Sequence, residues 1–401
     1  MTGPAIERVW RDEWGRLLAL LVAQYRRLDL AEDGLAEAFE AAARTWEADG
    51  LPANPPAWLL TAARRRILDR LRSDAVLARR MPLLAVEAEL TEEAQRVMAD
   101  AGETVRDERL RLVLLCAHPT LAPESAAALT LRLVLGVSTA DIARLFLVST
   151  PTMAARLTRA RQRLAGETFA VPDGVRLADR IGLAASVAYL AFTAGYAPAS
   201  GADVHRAALA GEAIRLVRVL RDVAPASADL DALLALMLLQ HARRDARVRD
   251  GEVVLLADQD RTRWRAEESA EAFDLLATHV DDPPTRWLLE ALIAAEHAVA
   301  ARPEDTAWPR IAGLYRELEE LTLSPVVRLN RAVAVAEADG PLAGLALLDG
   351  LDLPGHRLPG TRAELLTRAG RYDDAATELE RAIALCDNDA ERRHLVSRRA
   401  R

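Results

Sequence analysis

The sequence predicts an all-α chain, on three observations. Ala, Leu and Arg dominate while aromatics make up only 4% of the residues, a composition that favours helix over sheet. Apolar residues recur three and four apart, as in Leu17, Leu18, Leu21, Val22 and Tyr25, which is the period of an amphipathic helix. Runs of alternating β-branched residues are scarce, the best strand candidate being residues 253–256. With 401 residues the chain is long enough for about two to four domains. A 51% hydrophobic share builds real cores and excludes wholesale disorder.

Composition narrows the function as well. Cys116 and Cys386 are the two cysteines, too few for a disulfide-stapled fold or a Cys-rich zinc module. All 52 basic residues are arginine, so Schiff-base and P-loop lysine chemistry are excluded. No Gly-rich phosphate loop and no GxSxG occur, and no two histidines have metal-ligand spacing. The expectation is a protein that is not an enzyme and takes no cofactor and no metal. The opening MTGPAIERVWRDEW carries charge where a signal peptide needs an apolar core. Residues 181–202 are uncharged and long enough to span a bilayer. They also hold Gly182, Ser186, Thr193, Gly195, Pro198 and Ser200, and read as a buried helix followed by a loop. A cytoplasmic protein with no membrane partner is expected.

In chain order, residues 6–80 read as a first helical unit, interrupted by the Gly/Pro cluster at 50–56. Residues 81–104 are an acidic linker in which six acids face Arg96 alone, a local charge of −5. Residues 105–166 read as a second helical unit. Val171-Pro172-Asp173-Gly174 is a turn into a long remainder, taken as a helical extension (175–300) and helical repeats (301–401). The repeat signature is Ala363, Leu366, Gly370, Tyr372, Ala375, Leu379 and Ala382, which looks like one tetratricopeptide unit. Small residues at 370, 375 and 382 let two antiparallel helices approach, and Tyr372 and Leu379 are expected to fill the gaps between them. Residues 326–348 have a weaker form of the same pattern, with Gly340 thirty residues before Gly370.

Residues 138–164, STADIARLFLVSTPTMAARLTRARQRL, are the sharpest segment. Ser138 followed by Asp141 is a capping-box-like helix start. Ile142, Ala143 and Leu145 form a short apolar face, and a turn follows at 147–149. Thr150 is expected to cap the next helix, with Pro151 in its first position. On that helix Met153, Leu157, Ala160 and Leu164 share one face, while Thr152, Ala155, Arg156, Arg159 and Arg163 lie toward the other. Two short helices, a tight turn and a basic outer face are what a helix-turn-helix needs. Thr152 and Arg156 are then best placed for base edges, and Arg159, Arg161 and Arg163 for phosphates. Five arginines and one aspartate lie between 139 and 163. The overall charge of −8 therefore does not exclude DNA, because screening confines each field to about 10 Å.

The first unit adds a resemblance. Residues 29–39, DLAEDGLAEAF, with Trp46 beyond, resemble region 2 of bacterial sigma factors of the extracytoplasmic-function class. Residues 55–72, PPAWLLTAARRRILDRLR, look like the next helices of that region, and 138–164 resembles region 4. Together these segments cover roughly the first 165 residues. The remainder, with Asp258-Gln259-Asp260-Arg261 and Trp264, resembles the long C-terminal extension of one subgroup that carries tetratricopeptide-like helices there.

The resemblance implies core RNA polymerase and promoter DNA as partners. It implies that Glu32, Asp33 and Glu37 dock on a basic coiled coil of the polymerase. It places the run Arg64, Arg65, Arg66, Arg70 and Arg72 near the −10 element and Asn54 in the loop that captures an unstacked base. Regulation is expected through the extension, by a separate protein or an intramolecular contact. Leu147 and Ala154 stand where the family often has Gly and a basic residue. The alternative is a helix-turn-helix regulator with a repeat sensor that does not replace the sigma subunit; it leaves residues 29–72 unexplained.

Overall fold

The structure, a computed structural model, describes residues 3–75, 103–146, 148–164, 175–196, 204–249, 252–386, 392–393 and 395–397. Residues 81–102 of the acidic linker, Leu147 and the turn 171–174 lie outside them. The described residues are helical apart from loops and one two-stranded antiparallel ribbon, in which β1 (Val248–Arg249) pairs with β2 (Glu252–Val253). That ribbon meets the strand expectation at its first residue only. The chain divides into two compact units after Ala194.

In the first unit, α1 (Gly3–Tyr25) ends where Arg26 turns left-handed at φ 54°. Arg27 then forks onto Asp29 in the first turn of α2 (Leu28–Asp49), at 3.0 and 2.7 Å. Gly50, at φ 84°, closes α2 by donating its amide to the Trp46 carbonyl. Helix α3 (Pro55–Ala75) starts on Asn54, whose side-chain oxygen accepts the Ala57 amide at 3.1 Å. Helices α2 and α3 form a close hairpin, with α1 laid against both. The approach is set by Gly34, where a Cβ would stand 2.7 Å from Ile67 Cγ1. Trp10, Trp14 and Phe39 cluster between α1 and α2, and Trp46 meets Trp58 edge-on.

The same unit holds α4 (Glu103–Cys116), α5 (Pro123–Leu133), α6 (Thr139–Leu145), α7 (Thr150–Leu164) and α8 (Val175–Tyr196). Helix α4 packs on α1 and α5, and α7 packs on α5 and α6. Helix α8, which the sequence suggested as the start of the extension, falls in this unit instead. Arg180 from α8 donates to the Leu114 carbonyl at 2.9 Å, in the last turn of α4. No helix among the described residues is long and apolar enough to cross a membrane.

The second unit contains α9 (Val204–Val223), α10 (Ala228–Ala242), α11 (Ala266–Ala277), α12 (Arg286–Val299), α13 (Trp308–Thr322), α14 (Pro325–Asp339), α15 (Pro341–Leu348), α16 (Arg357–Arg368) and α17 (Tyr372–Leu385). Helix α10 is buried almost all round and is packed by α9, α11 and α12. From α12 onward each helix packs on the next. Between α10 and α12 the Asp258–Trp264 motif acts as a lock. The Asp260 carboxylate caps the turn at Thr262, and Arg261 donates to the carbonyls of His297 and Ala300 at the end of α12. The Arg261 and Arg243 guanidiniums both lie over Trp264. At the end of the chain Gly370 turns left-handed between α16 and α17, and Ala375 and Ala382 are buried, as expected. Tyr372 does not fill the gap: it is 70% exposed on the outer face, and the apolar contact falls to Leu379 beside Ala382, Cys386 and Leu395.

Two predictions follow from this packing. Gly34→Ala forces Ile67 or the α2–α3 spacing to shift, and should cost about 1–3 kcal/mol in the urea unfolding of the first unit. In the second unit burial raises the Glu268 carboxyl, but hydrogen bonds from His241 and Arg244 overcome that and bring it down to about 2. A depressed carboxylate pKa contributes stability that is present above the unfolded value and lost as pH falls through the folded one. Glu268→Gln should therefore flatten the loss of stability between about pH 4.5 and about pH 2, read by denaturant midpoints across that range.

Candidate nucleic-acid interface

Helices α6 and α7 form the helix-turn-helix. Ser138 caps α6 by accepting the Asp141 amide at 3.1 Å, and its hydroxyl donates back to the Asp141 carboxylate at 2.5 Å. The cap of α7 is one residue earlier than expected. Ser149, not Thr150, accepts the Thr152 amide at 3.3 Å, and its carbonyl takes the Met153 amide. Pro151 thus occupies the second helical position, where an amide donor is equally dispensable. Met153, Leu157, Ala160 and Leu164 are buried, as their spacing requires.

The outer face of α7 presents Thr152, Ala155, Arg159 and Arg163, all exposed. Arg156 is half-exposed and its guanidinium lies 5.8 Å from the Phe146 ring, a cation–π contact that holds its direction. Among the described residues Arg159 and Arg163 form no ion pair, so their charge faces solvent. Arg161 departs from this face. It is 25% exposed and reaches the Glu32 carboxylate of α2 at 2.6 Å, so in this arrangement it is not available to a phosphate.

The first unit's other candidates are also rearranged by ion pairing. Glu32, expected on one face with Asp33 and Glu37, turns inward. It is 6% exposed and held by Arg161 and by Arg132 of α5 at 2.9 Å. Asp33 and Glu37 stay toward solvent and bind across the α2–α3 hairpin. Arg70 meets Asp33 at 2.8 Å and also Glu37, and Arg66 meets Glu37 at 3.1 Å. Hydrogen bonding to Asp33 raises the Arg70 pKa above its ordinary value. The acidic and basic faces inferred from the sequence are therefore partly one interlocked surface. Arg64 is only 3% exposed within the α3 packing, so its guanidinium cannot lie on a phosphate-facing surface. Arg65 is exposed. Arg72 belongs to α3, but its side chain lies outside the described residues. Asn54 is exposed and spends its oxygen on the helix cap.

Sequence reasoning passed over Arg132 and Ser149. The signal for Arg132 was a lone charge inside the apolar run 126–135, which must find a partner if it is buried. Among the described residues no cluster of His, Cys, Asp and Glu could hold a metal ion.

Three family models match parts of the chain. Sigma-70 region 2 matches residues 11–76 and sigma-70 region 4 matches 111–164. The chain is a sigma factor of the extracytoplasmic-function type. It directs core RNA polymerase to promoters. Region 2 corresponds to α1–α3, and region 4 to α4–α7. A family of unknown function (DUF6596) matches residues 180–280, spanning most of α8 through α11 and the Asp258–Trp264 lock. An uncharacterized protein of Rhizobium meliloti (strain 1021) is 40% identical over 388 residues, 93% of this chain and 90% of that protein. The relationship therefore runs through both units. No solved structure matches.

Proposed function

We propose that the outer face of α7 reads the −35 element, with Thr152, Ala155 and Arg156 toward base edges and Arg159 and Arg163 on phosphates. The observation that carries this reading is the exposed guanidinium pair at 159 and 163 beside a directed Arg156, on the second helix of a capped helix-turn-helix. Arg65 and the α2–α3 surface face the −10 region. The Asp33 and Glu37 carboxylates meet the polymerase by exchanging their Arg66 and Arg70 partners for basic groups of that protein. The second unit is a regulatory extension built of stacked helix pairs of tetratricopeptide type. Its support is the succession from α12 to α17, the glycine turns at 340 and 370, and the buried small residues of α16 and α17. The site of action is the cytoplasm, where core polymerase and promoter meet.

Run-off transcription with purified core polymerase tests the role directly: product must depend on this chain. Arg156→Ala should relax discrimination at one promoter position by about 1–3 kcal/mol. Arg163→Ala should weaken all sequences evenly and lower the slope of log K against log salt by about one. Equal, sequence-blind losses from both changes would remove the division of labour. A chain ending at Ala194, which retains the first compact unit, should change transcript yield about fivefold or more if the extension regulates. An inhibitory extension raises the yield on removal, an enabling one lowers it, and an unchanged yield rejects regulation.

A further inference from the structure

The two polar side chains of α7 turned toward base edges, Thr152 and Arg156, are each held by a residue of the turn that precedes the helix. The Ser149 and Thr152 hydroxyl oxygens lie 2.8 Å apart, and Ser149 Oγ also accepts the Thr152 amide at 3.3 Å. The Arg156 guanidinium lies 5.8 Å from the centroid of the half-buried Phe146 ring. The turn that carries both holders is itself tied down. The Phe146 amide donates to the Ile142 carbonyl and the Val148 amide to the Ala143 carbonyl, each at 3.0 Å. Ile142 and Ala143 are buried, so the holders are anchored from the core side of the motif.

The guanidiniums facing phosphates are left loose. Among the described residues Arg159 and Arg163 have no ion pair, no hydrogen bond and no ring beneath them. The contrast matches two different tasks. A phosphate is a charge to be neutralised, and a mobile side chain serves. A base edge offers acceptors at fixed positions, so a side chain already ordered in the free protein loses less on binding. A cation–π contact suits that use, because it directs the guanidinium and spends none of its five donors. Likewise, with Ser149 donating to Thr152 Oγ1, the Thr152 hydroxyl keeps its own proton for a base acceptor.

We propose, on the reading of α7 as the helix that meets the −35 element, that Phe146 and Ser149 are positioning residues that set its base preference, Phe146 through Arg156 and Ser149 through Thr152.

The full chain assembled with core polymerase is titrated on a promoter fragment and on fragments carrying each single base-pair change across the −35 element. Discrimination is the ratio of Kd on a changed fragment to Kd on the original. Phe146→Leu should lower it about two- to fivefold, the factor that an exposed cation–π contact carries, at the base pair that Arg156→Ala relaxes and at no other. In an Arg156→Ala chain Phe146→Leu should change nothing further. Phe146→Tyr, which keeps the ring, should keep the parent's discrimination. Ser149→Ala should relax a different base pair, the one that Thr152→Ala relaxes. A loss from Phe146→Leu that is spread over every base pair, or that persists in the Arg156→Ala chain, makes Phe146 a structural residue and overturns its role. An even loss from Ser149→Ala marks a helix cap alone and overturns the role of Ser149. A base pair relaxed by Arg156→Ala but untouched by Phe146→Leu removes the positioning role and leaves the −35 reading standing. If Arg156→Ala relaxes no base pair, the −35 reading of Arg156 falls, and the role of Phe146 falls with it.

Discussion

An ionised carboxylate enclosed between two helical subunits must be matched there, and Glu32 sets that requirement for the first unit. Its partners arrive from α5 and α7, so satisfying one acid draws region 4 onto region 2. The Trp10–Trp14–Phe39 cluster and the glycine contacts then close around it. Such a cluster has two different energetic faces. Removing one partner leaves a buried charge uncompensated, at a cost of roughly 3–5 kcal/mol. Separating the two surfaces rehydrates all three groups together, so the same ion pairs contribute little net resistance to opening.

A chain without lysine uses guanidinium for work that would otherwise be shared. Arg180 reaches the Leu114 carbonyl, Arg261 those of His297 and Ala300, Arg328 that of Leu347 and Arg362 that of Leu348. All of these carbonyls lie at or near helix ends, where backbone acceptors lack intrahelical partners. The planar fork with five donors suits that task better than an ammonium. High arginine content is consequently a poor indicator of nucleic-acid binding in this protein. What distinguishes Arg159 and Arg163 is that they face water on the helix whose other face is fully committed to the core.

The helix-turn-helix was legible because its signals are local. Ser138 with Asp141, the apolar set Met153, Leu157, Ala160 and Leu164, and the Gly/Pro break at 50–56 each act within a few residues of where they stand. Errors of register were equally local: Ser149 and Thr150 are both competent caps, and the backbone chose the first. Tyr372 was misplaced for another reason. Its position in a repeat pattern marks a helix face, but whether that face meets a neighbour depends on the next helix pair.

The amino-acid sequence by itself determined the helices and their apolar faces, and with them the order of region 2 before region 4. These follow from hydrogen bonds and periodicities that span three or four residues. Only the tertiary structure decided which charges remain available. Glu32 and Arg132 are a hundred residues apart, and Glu37 and Arg70 more than thirty. The pairing of such charges is chosen by burial and proximity in the folded chain, to which local spacing is blind.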